Sequence, residues 1–134
     1  MANGRNGSKR YPKFDRDCGG FIALPWVVLD SPKYMNLSLI AKVLLLEIAR
    51  QFVRDNNGRL LCSMRHMRTR GFKSADVVTR AKRELIEAGF IYETVMGHRP
   101  NKASWYGVTW LPLDKILGYD PGAEQGFIRS AYIK

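Results

Sequence analysis

The side chains best suited to chemistry in this chain are cations gathered in one internal segment. Arg80 and Arg83 lie three residues apart within Ser74-Ala75-Asp76-Val77-Val78-Thr79-Arg80-Ala81-Lys82-Arg83-Glu84, and helical spacing puts them on one face. A guanidinium is a planar fork of donors that matches phosphate oxygens and the O6/N7 edge of guanine. Around this pair, residues 59–102 hold ten Lys/Arg against four Asp/Glu, a net +6. Residues 1–18 add +3, residues 19–58 carry +1, and residues 103–134 are neutral. The total of +10 on 134 residues points to an anionic partner, with nucleic acid first among them.

Other chemistries find little to work with. Gly7-Ser8-Lys9 has only two residues between its glycine and Gly4, and no strand precedes it, so it is no phosphate-binding loop. There is no Gly-x-Ser-x-Gly, and His66 and His98 lack metal-ligand spacing. Glu84 and Glu87 each follow an arginine by four residues and read as ion-pair partners of Arg80 and Arg83. The expectation is a protein without catalysis, cofactor or metal. Two cysteines, Cys18 and Cys62, make no disulfide framework and suit a reducing cytoplasm. The N-terminus lacks the apolar core of a signal peptide, and no apolar run reaches the ~18 residues that cross a bilayer.

The elements that position the cations follow from caps and periodicity. Residues 1–20, rich in Gly, Asn and charge, read as a flexible basic arm. Phe21–Leu29 is a short apolar run with Pro25 inside it, which predicts an edge strand. Ser38 caps a central helix over Leu39–Ala49 that is apolar on nearly every face, with Leu44, Ile48 and Phe52 in one stripe. Leu60-Leu61-Cys62 predicts a short strand. Ser63 caps a brief helix, Met64–Arg70, with Met64 and Met67 inward, and Gly71-Phe72-Lys73 turns the chain. Ser74 then caps a helix over Ala75–Ala88, closed by Gly89, with Val78, Ala81 and Leu85 inward. Phe90–Val95 and Ser104–Trp110 predict a β-hairpin, its Tyr92, Trp105, Tyr106 and Trp110 serving core and cross-strand packing. Beyond Leu111 the signals weaken to one helical turn near Lys115–Leu117.

This order, helix, short strand, helix, glycine-containing turn, helix, hairpin, resembles the winged helix-turn-helix family. The residues that carry the likeness are Asn57-Gly58-Arg59-Leu60, Ser63-Met64, Met67, Gly71-Phe72, Ser74, Val78, Ala81, Leu85 and Gly89-Phe90-Ile91. Most specific is Arg83-Glu84-Leu85-Ile86-Glu87-Ala88-Gly89-Phe90-Ile91-Tyr92, similar to the end of that family's recognition helix running into its wing. The likeness spans about residues 36–112; the Met-rich second helix and the long basic arm depart from the usual pattern. It implies an α+β fold, a helix bundle with a C-terminal β-hairpin wing. The division is an arm over 1–20, the winged helix-turn-helix domain over 21–112, and a C-terminal extension over 113–134. Small proteins of this look are common on plasmids and prophages as replication or regulatory modules.

Residue by residue, the likeness and the helical period assign a binding face for double-stranded DNA. Arg80 and Arg83 reach guanine edges or phosphates, and Thr79 a phosphate or a thymine methyl. Lys73 and Ser74 stand at the recognition helix N-terminus, where backbone amides favour a phosphate. Arg68 and Arg70 straddle the backbone from the preceding helix, and Arg99 and Lys102 serve the wing. Asp76 reads as a first-turn helix stabiliser. The reading is thus a non-catalytic double-stranded DNA-binding protein, a replication or transcription-regulatory accessory factor of a mobile element. The alternative uses the same fold as an interaction or inhibitor module, such as an anti-CRISPR, that binds a host protein or ribonucleoprotein. A third has the basic arm folding on RNA. No membrane partner is expected. No helix is an evident dimerisation coiled coil, yet the C-terminal tail can pair, so a homodimer stays open.

Overall fold

Four serines start four helices, each accepting a hydrogen bond on Oγ from the amide three residues ahead. Ser31 caps Tyr34 at 3.2 Å, Ser38 caps Ala41 at 3.1 Å, Ser63 caps His66 at 3.2 Å and Ser74 caps Val77 at 3.3 Å. The computed structural model describes residues 16–98 and 100–134. Its helices are α1 (Trp26–Leu29), α2 (Pro32–Met35), α3 (Leu39–Ala49), α4 (Met64–Arg68), α5 (Ala75–Glu87) and α6 (Ala123–Gly126), followed by a 3₁₀ turn over Ala131–Ile133. Between α5 and α6, β1 (Ile91–Val95) pairs antiparallel with β2 (Trp105–Val108). The fold is α+β, and among the described residues no helix is long and apolar enough to cross a membrane.

The core gathers around α3. Ala41, Leu44, Leu45, Ile48 and Ala49 are buried there, and α3 packs on α5 through the latter's Val78, Ala81 and Leu85. Phe90, Ile91, Tyr106, Val108 and Trp110 close the core from the hairpin side. As expected, Met67 is fully buried, and Met64 packs against the core from a half-buried position. The register pairs Ile91 with Val108 and Glu93 with Tyr106, then slips, so that Val95 meets Trp105. The extra residue at this slip turns both Thr94 and Val95 inward, and the Thr94 hydroxyl donates to the Gly58 carbonyl.

Several segments depart from the sequence expectation. Phe21–Leu29 is not an edge strand. Residues 21–24 have no regular structure, and Pro25 becomes the N-cap of α1. Proline suits that place because its φ of −63° is already set and its missing N–H forfeits no helical bond. Leu60-Leu61-Cys62 shrinks to a single bridge between Leu60 and Tyr106, and α4 stops at Arg68 with Thr69 as its cap. Lys115–Leu117 is not helical; the turns of helix lie further on, at α6 and Ala131–Ile133. Of the expected arm, residues 1–15 lie outside the described residues.

The segment 113–134 packs onto the rest. Tyr132 stacks on Phe90 with centroids 5.1 Å apart. Gly89, at φ +86°, sits so close to the Ala131 backbone that a Cβ there would meet its carbonyl carbon at 2.7 Å. Tyr92 donates to the Ala123 carbonyl at 2.8 Å. The tightest seam runs through Asn57, which has no solvent exposure. Its Nδ2 donates to the carbonyls of Val108 at 3.1 Å and Pro112 at 2.9 Å, and its Oδ1 accepts from the Val108 amide at 2.8 Å. Its own amide donates to the Asp114 carboxylate at 2.8 Å. Asn57→Ala therefore strands a donor and two acceptors in the interior. At ~1–3 kcal/mol for leaving a buried polar group unpaired, urea unfolding should show a loss of about 3 kcal/mol. A loss under about 1 kcal/mol would show that the seam does not depend on this amide.

Candidate nucleic-acid interface

The turn between α4 and α5 is built by the backbone. The Gly71 amide donates to Arg68 at 3.3 Å and the Phe72 amide to Met67 at 3.1 Å, with Gly71 at φ +103°. This left-handed step, which glycine adopts without a Cβ penalty, turns Phe72 against the core and leaves Lys73 exposed. α5 then starts at Ser74. Its orientation is locked at the far end as well, because Glu84 accepts from the Ser38 amide and the Ser38 hydroxyl, both at 2.7 Å. One carboxylate thus engages the N-cap of α3 and ties it to α5.

That contact corrects the sequence reading of Glu84 as the partner of Arg80. Arg80 pairs backwards instead, with Asp76 at 3.1 Å, between side chains 67 % and 78 % exposed. A pair so open to water is worth little, and Asp76 lies in the first turn of α5 as expected. Arg83 and Thr79 are exposed on the same face, and Arg83 has no ion-pair partner among the described residues. Ser74 spends its side chain on the cap. Arg68 is exposed at the last position of α4. Arg70 departs from its expected place. It lies beyond α4, and its Nε donates to Glu47 on α3 at 2.6 Å, so the guanidinium braces the turn against α3. Lys102 is exposed at the base of the hairpin loop, where it exchanges backbone bonds with His98 at 2.8 and 2.9 Å. Arg99 lies outside the described residues.

Two cations that sequence reasoning passed over stand against the aromatic rings of the hairpin. Lys82 Nζ stands 6.0 Å from the Tyr106 ring centroid, and the Arg59 guanidinium 5.9 Å from that of Trp105. The signal for Lys82 was its place between inward Ala81 and outward Arg83, which puts it on the flank of the helix. Arg59 gave none, since its position depends on the bridge from Leu60 to Tyr106. Lys82 extends the exposed cations Lys73 and Arg83 of the α5 region towards the hairpin, whereas Arg59 lies on the other face of the sheet, since Tyr106 and Trp105 are successive residues of β2. The α5 surface can hold a polyanion along its length and present guanidinium forks to it. Among the described residues no group of three or more His, Cys, Asp or Glu could hold a metal ion.

Beneath this surface Cys62 is buried, and that burial pushes its thiol from 9.0 up to about 11, with the charge of Lys82 opposing. Burial likewise raises the Tyr106 hydroxyl, assisted by the charge of Glu93, to which it donates at 3.1 Å. A thiol whose pKa is raised in the folded state lends its full stability below the unfolded value of 9.0 and loses it as pH climbs towards 11. Stability should therefore fall more steeply over that interval in the wild type than in Cys62→Ala, by up to ~1.4 kcal/mol per pH unit; parallel curves would contradict the burial. The α3–α5 lock gives a second test. Glu84→Ala should lose about 1 kcal/mol, because the Ser38 amide and hydroxyl lose their acceptor. Arg83→Ala should stay within ~0.5 kcal/mol. Equal losses in chemical denaturation would remove Glu84 from the locking role. Compared with family models, with curated proteins and with solved structures, the chain matches none of them significantly.

Proposed function

We propose that the chain is a winged helix-turn-helix protein that binds double-stranded DNA, with α5 as the recognition helix and the β1–β2 hairpin as the wing. The observation that carries this reading is the outer face of α5. Thr79 and Arg83 point away from the core there, at the spacing that reaches successive base edges, and Lys82 continues the positive charge towards the hairpin. A helix in this setting enters a major groove ~12 Å wide while flanking cations hold the phosphates. The reading is non-catalytic. Its biological setting, a replication or transcription-regulatory factor of a mobile element, rests on the likeness of residues 36–112 to small plasmid and prophage proteins.

The geometry divides labour between the two arginines. Arg80 is shared with Asp76, whereas Arg83 is free to form a bidentate base contact. Arg83→Ala should weaken binding to a selected duplex by ~1–3 kcal/mol and relax the preference at one base pair. Arg80→Ala should cost less. Four to six phosphate contacts should give a slope of log K against log salt on the order of −4 to −5. Titration of a labelled selected duplex and a scrambled one, with wild type and each variant, measures both effects. Affinity that does not change between about 50 and 200 mM salt would defeat the reading. An unaltered ratio between the two duplexes for Arg83→Ala would take Arg83 out of base recognition.

A further inference from the structure

The central helix is buried on one side only. On the other, Leu39, Val43 and Leu46 follow each other at i, i+4 and i+7 and are 76 %, 46 % and 41 % exposed. Beside them Ile40 is 46 % exposed and opens an apolar groove of about 440 Å³ between α3 and the α4–α5 turn, walled by Ile40, Val43, Phe72 and Val77. Single exposed apolar residues are ordinary, but a contiguous row along a central helix marks a contact surface. Eleven residues of helix extend ~16 Å, long enough for three turns of a second helix with apolar anchors at the same i, i+4, i+7 spacing.

Charge decides what kind of helix. Each carboxylate bordering this face is already engaged: Glu47 by Arg70, Asp76 by Arg80, and Glu84 by Ser38. Lys73 at the groove and Arg50 at the end of α3 are exposed and have no ion-pair partner among the described residues. A second copy of the chain fits poorly, because a two-fold pairing sets a patch against itself and would bring these cations together on molecules of +10 each. We propose that the outer face of α3 docks an acidic amphipathic helix of another protein, its apolar side chains in the groove and its carboxylates on Lys73 and Arg50. This surface lies beside the outer face of α5 and shares Lys73 with it, while its apolar anchors on α3 are separate from Arg83.

The test uses the full chain and a fluorescently labelled synthetic helix with leucine at i, i+4 and i+7 and glutamate at the flanking positions. A control peptide carries lysine in place of every glutamate. Anisotropy should show the glutamate peptide bound at least about tenfold more tightly than the lysine peptide. Val43→Glu with Leu46→Glu should weaken it by about tenfold or more, while Arg83→Ala leaves it unchanged. Both substituted positions face solvent, and a thermal melt verifies folding. Should that variant not fold, Lys73→Glu replaces it with the same expectation. Equal binding of the two peptides, no binding of either, or unchanged binding by the variants overturns the proposal. So does loss of peptide binding in Arg83→Ala. A dimer in sedimentation that Val43→Glu with Leu46→Glu dissociates assigns the face to a second copy and overturns it too.

Discussion

The buried amide of Asn57 is the constraint on which the rest depends. A fully enclosed side-chain amide must satisfy its donors and its acceptor, or the fold loses more than a typical hydrogen bond supplies. Here the partners come from the single stretch 108–114: its Nδ2 and Oδ1 meet the end of β2 and Pro112, and its backbone meets Asp114. The Asp114 amide returns a bond to the Asn57 carbonyl at 2.9 Å, and the Tyr119 hydroxyl donates to the Asp114 carbonyl at 2.6 Å beside it. With Asn57 fixed, Leu60 bridges to Tyr106, and the hairpin acquires its angle to the helices. Gly58 belongs to the same knot. The Tyr119 hydroxyl occupies the space that any Cβ at this position would need.

The helical half of this arrangement was legible in the sequence because its signals are local. A serine followed by an apolar stripe and closed by glycine states both ends of α5, and Val78, Ala81 and Leu85 are buried as their spacing requires. The hairpin was legible from β-branched and aromatic residues alone. What escaped depended on distant partners. Asn57 entered as part of the family likeness, since nothing nearby announces acceptors some fifty positions away. Glu84 stood four residues after Arg80, so the local rule predicted an ion pair, yet Ser38 offered two donors in fixed geometry and won. The C-terminal helices carry little periodicity because each is a single turn held by packing, Tyr132 against Phe90 and Ala123 against Tyr92.

Carboxylate placement explains how a modest excess of cations becomes a directed surface. Three of the four acidic residues in 59–102 are drawn aside: Asp76 to Arg80, Glu84 to Ser38 and Glu93 to the Tyr106 hydroxyl. Glu47, on α3, takes Arg70. Of the two outward arginines of α5, Arg80 is shared with Asp76 and Arg83 has no ion-pair partner among the described residues. Sequence counts gave the net charge of the segment, but only the fold determines which cations keep their field for a partner, since a paired charge contributes little at distances beyond the Debye length of ~8–10 Å.

The two faces of α5 end up with opposite characters, and the lock between Ser38 and Glu84 is the reason. Because that carboxylate draws α3 onto one flank of α5, Ile40 and Val77 lie side by side and, with Val43 and Phe72, wall the apolar groove. The opposite flank meets the hairpin, where Lys82 rides over the Tyr106 ring and keeps its charge. A rotation of α5 by one residue position, ~100°, would bury Arg83 or expose Leu85, and either change is far more costly than the ~0.3–0.5 kcal/mol of an exposed i,i+4 pair. Helix rotation is therefore set by the core and by Glu84, not by the surface arginines. The outward residues are left free to vary with whatever they bind, while the surface that holds them stays fixed.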